Sequence, residues 1–120
     1  MSQVQDIAQK IESAIAELDK LRQHLPETYN AMVIASAKYD GAIGIAMAKM
    51  SMGAGIEIDG HVIKQPAMAV IKEYAKAACT EEKIAMMTAE CKYKSLLKNM
   101  EHAAAKLSAL QTLFRHLDVV

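Results

Sequence analysis

The sequence predicts a mainly α fold: a helical bundle or coiled coil with a long C-terminal helix and one small β-hairpin near residues 56–64. Three observations predict it. In two separate stretches apolar residues recur in alternating steps of three and four, the period of a helix seam rather than of a strand. The composition is 52% hydrophobic but only 4% aromatic, with nine methionines and no tryptophan, and a chain rich in Ala, Met, Leu and Ile favours helix over sheet. An Asp-Gly step between two short alternating segments supplies the hairpin. At 120 residues the chain has the length of one domain, so a single helical domain over 1–120 is expected.

The first seam is Val4, Ile7, Ile11, Ala14, Leu18, Leu21 and Leu25, with Asp6, Lys10, Glu12, Glu17, Asp19, Lys20 and Arg22 between its members. It predicts a helix over about 2–24, with Ser2 as N-cap and a stop ahead of Pro26, because a proline pushes the preceding residue out of the helical region. A helix of this length is marginal alone in water and needs a partner for its stripe. Pro26 suits the first turn of a second helix over about 27–51, and Glu27 complements the helix dipole. That segment is rich in small residues (Ala31, Ala35, Ala37, Gly41, Ala42, Gly44, Ala46, Ala48) interleaved with Met32, Val33, Ile34, Ile43, Ile45, Met47 and Met50. Apolar character nearly all round the wheel predicts burial on more than one side, and the Asp40-Gly41 step is the expected place for a break.

Gly53-Ala54-Gly55 ends the second helix. Ile56-Glu57-Ile58, Asp59-Gly60 and His61-Val62-Ile63-Lys64 then read as two strands about a two-residue turn, too short to stand alone and expected to fold onto the helices or onto a copy of themselves. From Pro66 to Asp118 there is no further proline or glycine. This stretch begins with an Ala-rich helical segment that puts Met68, Ile71, Ala75 and Ala78 on one side. It carries the second seam: Met86, Ala89, Tyr93, Leu96, Met100, Ala103, Leu107, Leu110, Phe114 and Leu117. Thr80 followed by Glu81 and Glu82 reads as an N-cap, so a helix over about 66–118 is expected, bent or interrupted near Cys79. Val4, Ile7, Ile11, Leu18 and Leu21 on the first seam and Leu96, Met100, Leu107, Leu110, Phe114 and Leu117 on the second are the candidate packing and oligomer residues. The shorter seam covers about two-thirds of the longer one, which leaves a remainder to meet another element or another chain.

Net formal charge is zero, so nothing overall proposes a polyanion partner. Residues 1–60 carry eight acidic and five basic side chains, whereas 61–100 carry seven lysines against four glutamates. Lys83, Lys92, Lys94, Lys98 and Lys106 are therefore the candidate nucleic-acid contacts, although they span several helix faces and Glu81, Glu82, Glu90 and Glu101 interleave with them. Tyr29, Tyr39, Tyr74 and Tyr93 are too scattered for a base-stacking platform. No cofactor or metal is expected. No two of His24, His61, His102 and His116 are three or four residues apart, and no Glu-x-x-His pair is present. Cys79 and Cys91 lie about 18 Å apart at 1.5 Å per residue on a straight helix, too far for one ion. Both read as buried, inert, free thiols in a reducing compartment. His61, after the tight turn and near Glu57 and Asp59, is the candidate ligand residue. No phosphate-cradling loop is present, since Gly53-Ala54-Gly55 leads into a strand. A polar N-terminus and the charges Lys38, Asp40 and Lys49 within the most apolar region argue against a signal peptide and a membrane span, so a cytoplasmic protein is expected.

The segment Ala89-Glu90-Cys91-Lys92-Tyr93-Lys94-Ser95-Leu96, followed by Leu107-Ser108-Ala109-Leu110-Gln111-Thr112-Leu113, resembles small all-helical accessory proteins encoded by bacteriophages. About 30 C-terminal residues carry the resemblance. It implies a non-catalytic protein of the host cytoplasm working beside phage DNA recombination, replication or packaging, and it transfers no functional residue. Three functions are expected in order: a non-enzymatic, self-associating interaction protein; a nucleic-acid-binding accessory using the lysines; and a small-ligand or nucleotide sequestering protein with a pocket between protomers near His61.

Overall fold

The computed structural model describes residues 2–118. The chain is mainly helical: α1 (Gln3–Gln23), α2 (Leu25–Ser51), β1 (Ile56–Ile58), β2 (His61–Ile63), a 3-10 turn at Met68–Val70, α3 (Ile71–Ala78) and α4 (Thr80–Asp118). Packing groups these into two compact units. One holds the residues up to Tyr29 and from Lys92 onward; the other is Asn30–Cys91.

In the first unit, α1 starts on a capping box. Gln5 N–H donates to Ser2 Oγ at 3.2 Å and Ser2 N–H donates to Gln5 Oε1 at 3.3 Å, satisfying two amides that the first helical turn leaves without partners. Asp6 lies in that first turn and Lys20 and Arg22 in the last, each complementing the helix dipole. Only His24 separates α1 from α2, and its backbone remains right-handed helical at φ −83°, ψ −13°. Pro26 removes an amide that would have bonded Arg22, yet it sits in the first turn of α2, where its missing N–H costs little. The next turn is secured on both donors of Thr28, whose N–H and Oγ1 give to His24 O at 3.0 and 2.7 Å.

The inward stripe of α1 is Ile7, Ala14 and Leu18, all buried, and its counterpart on the C-terminal part of α4 is Leu96 and Ala103. Glu17 reaches Lys106 at 3.7 Å and Tyr29 meets Tyr93 with ring centroids 5.5 Å apart. As residue numbers rise along the first strand of contacts they fall along the second, so the two helical segments run antiparallel. Ala14 and Leu18 on α1 and Leu96 and Ala103 on α4 are buried along this seam.

In the second unit the core is Tyr39, Ala46 and Met50 of α2, Ile71 and Ala75 of α3, and Cys79, with Ile43, Met47, Ile56, Ile63 and Met86 packed against it. Met50 is fully buried. The residue pair Asp40-Gly41 does not interrupt α2, which is helical through Ser51, so the expected break is absent. Instead α2 ends in a Schellman turn: Gly53 adopts φ 77°, its N–H donates to Met50 O at 3.1 Å, and Ala54 N–H donates to Lys49 O at 2.9 Å.

The hairpin pairs Ile56 with Ile63, Glu57 with Val62 and Ile58 with His61. Asp59 and Gly60 both have positive φ, 49° and 80°, as a turn of type I′ requires. Ile56 and Ile63 share one face of the pair and meet the helical core. The C-terminal stretch is interrupted at Cys79, at φ −106°, ψ 36°. Thr80 does not act as an N-cap. Its Oγ1 donates to Ala77 O at 2.9 Å, closing the end of α3, while Lys83 N–H donates to Cys79 O at 3.0 Å and starts α4. The segment before α3 is also tighter than expected: the 3-10 turn leaves Met68 exposed rather than aligned with buried Ile71 and Ala75.

Candidate interaction surface

A helix that pairs with one neighbour buries one stripe and leaves the rest of its circumference open. The seam residues follow this geometry. Ile7, Leu18 and Leu96 are buried; Ile11, Leu21, Met100, Leu107, Leu110, Phe114 and Leu117 are half-buried; Val4 is 44% exposed. Val4 lies in the first turn of α1, nearly a quarter-turn away from the Ile7–Ala14 line at 3.6 residues per turn, and Ile15 shares its exposed side.

The largest departure from expectation is α2. Its sequence predicts burial on several sides, but only Tyr39, Ala46 and Met50 are buried. The opposite side exposes Val33, Ile34, Ala37, Gly41, Gly44, Ile45 and Ala48. Ile45 is 60% exposed and Met52, just past the helix end, 79%. A Cβ built on Gly41 or Gly44 would meet nothing within 4 Å. The small residues that should serve close packing therefore have no partner within this unit. The helical run Gln3–Ser51 contains one 18-residue window long and apolar enough to cross a membrane, by length and composition, and 11% of that window is buried.

The lysines do not assemble into a patch. At 100° per residue, Lys83 and Lys92 lie about 180° apart around α4, while Lys94 and Lys98 are neighbours one turn apart. All five are exposed, and Lys106 is engaged by Glu17. Sequence spacing already contained this dispersion; a face of four or five lysines would have needed steps of three and four.

His61 is exposed at the start of β2, paired across the hairpin with Ile58. Glu57 faces Val62 instead, so the strand register gives His61 no carboxylate opposite. Cys79 is buried and its thiol is pushed above its ordinary value by burial and, secondarily, by the charge of Glu82. Cys91, by contrast, is exposed. The expectation that both thiols are buried is thus corrected for Cys91, which sits five residues before Leu96 and so on the far side of α4 from the inward stripe. Among the described residues no group of three or more His, Cys, Asp or Glu side chains is placed to hold a metal ion, and no polar or charged residue is buried.

Open depressions flank the α1–α4 seam. One is lined by Asp6, Lys10, Ser13, Lys106 and Leu110, another by Glu17, Asn99, His102 and Lys106. Both mix opposite charges over apolar floor, which suits solvent and surface ion pairing rather than one ligand class. No protein-family model, curated protein or solved structure matches the chain.

Proposed function

We propose that this is a non-enzymatic, self-associating helical interaction protein. The observation that carries this reading is the apolar side of α2, exposed from Val33 to Met52 and opposite the side that packs against α3 and the hairpin. Scattered exposed apolar residues need no explanation, but a contiguous helix face does, because contiguous apolar patches mark association surfaces.

The resemblance of residues 89–113 to phage-encoded helical accessory proteins supports a cytoplasmic accessory role of the same kind. A nucleic-acid-binding role has less support, since its lysines point in several directions and one is already paired. Size-exclusion chromatography with light scattering tests the proposal. It predicts a mass of at least two chains at micromolar concentration, and a folded monomer across that range refutes it.

A further inference from the structure

We infer that the free edge of β2 is an association site whose occupant is β2 of a second copy, paired antiparallel about a two-fold axis at Val62 to make a four-stranded sheet. This rests on the self-association reading above and adds to it a contact that the hairpin alone carries. A two-residue turn closes on a pair that exchanges its hydrogen bonds, and along an antiparallel ladder such pairs alternate with pairs that do not. Ile58 and His61 close the turn, and Glu57 and Val62 are the next pair, so the N–H and C=O of Val62 point away from β1. No backbone group elsewhere among the described residues takes them up. An edge of this kind is a template for another strand.

The residues decide between the two edges. β1 packs against α3, and a copy paired along its outer edge about the same kind of axis would set Glu57 against Glu57, like charges directly opposite. Along β2, by contrast, His61, Val62 and Lys64 are exposed, Val62 by 63%. An isologous contact sets each residue i against j and j against i. Centred on Val62, the antiparallel pair places Val62 against its own copy, His61 against Ile63, and Lys64 against Gly60 of the Asp59-Gly60 turn. The pair on the axis is apolar and β-branched, the type that pairs well across strands. Each lysine also comes alongside the opposite charge of an Asp59. A two-stranded hairpin is marginal in water, and three or more strands with an apolar face are not. The copy supplies those strands, and the two Val62 residues exchange both of their free backbone hydrogen bonds.

The test uses the full chain with Cys79→Ala and Cys91→Ser, into which Val62→Cys or Glu57→Cys is introduced. Residues opposite each other in a hydrogen-bonded pair have Cα atoms about 5.5 Å apart, within the reach of a disulfide. Under mild oxidation Val62→Cys is expected to link to its own copy at least tenfold more than Glu57→Cys does. Equal linking of the two, or none, as an edge that takes a strand of another protein would give, would overturn the pairing. Independently, Val62→Pro removes an N–H that the hairpin itself does not use, a change that an edge strand tolerates, and Val62→Lys sets like charges face to face at the axis. Both are expected to weaken dimerisation at least tenfold while leaving the helical circular dichroism unchanged. Dimers that neither link through Val62→Cys nor respond to these two substitutions would overturn this contact and leave self-association standing. A monomer at every concentration would remove both.

Discussion

Cys79 and Cys91 show how position on one helical run decides chemistry. Burial and the neighbouring Glu82 carboxylate hold the Cys79 thiol in its protonated form, while exposed Cys91 meets solvent. Because the thiolate is the reactive species, Ellman's reagent at neutral pH should modify one cysteine quickly, abolished by Cys91→Ser, and the other only on unfolding. Equal rates for the two would contradict the placement of Cys79. The sign of the pH effect follows: the folded thiol stays protonated while the unfolded one ionises, so Cys79 draws stability from the fold as pH rises past the ordinary thiol range. Among the described residues Met50 is the large side chain that the fold encloses completely. Met50→Ala should cost about 2–5 kcal/mol in denaturant unfolding, the range for emptying a core site. Lys106→Ala should change stability by less than about 1 kcal/mol, since its partner Glu17 is equally solvated and exposed pairs contribute little.

The elements were legible where the residues that set them are local. Ser2 and Gln5 announce the start of α1, Gly53 the end of α2, and Asp59-Gly60 the hairpin turn, because each is a short-range solution to unpaired amides or positive φ. What the residues do not announce is how an element's neighbours override a local preference. Thr80 reads as a cap for α4 but bonds backward to Ala77, because the chain departs from helical geometry at Cys79 just before it. Asp40-Gly41 reads as a break, yet Tyr39, Ala46 and Met50 hold α2 against α3 on both sides of it. Gly53→Ala tests the Schellman end. Its φ of 77° and a built Cβ at 2.9 Å from Gln65 Nε2 both oppose a side chain, so a loss of about 1 kcal/mol or more is expected by thermal unfolding.

At the scale of the whole molecule, the two seams and the small-residue helix were visible in the periodicity, and so was the mismatch in seam length. Which side of α2 would be covered was not, because a wheel that is apolar all round does not state which neighbour takes which side. The candidate site was legible in the same measure. The lysines of α4 are exposed but dispersed, Val4 lies off the inward stripe, and the open face of α2 emerges only once α3 and the hairpin have claimed the other. The proposed self-association would cover the exposed apolar side of α2, since contiguous apolar surface of that kind marks association sites. The most direct measurement is sedimentation equilibrium of the unmodified chain from nanomolar to high micromolar concentration. The account predicts a reversible two-chain species that dominates by the micromolar range; a single species of 13.1 kDa that stays fully folded throughout would contradict it.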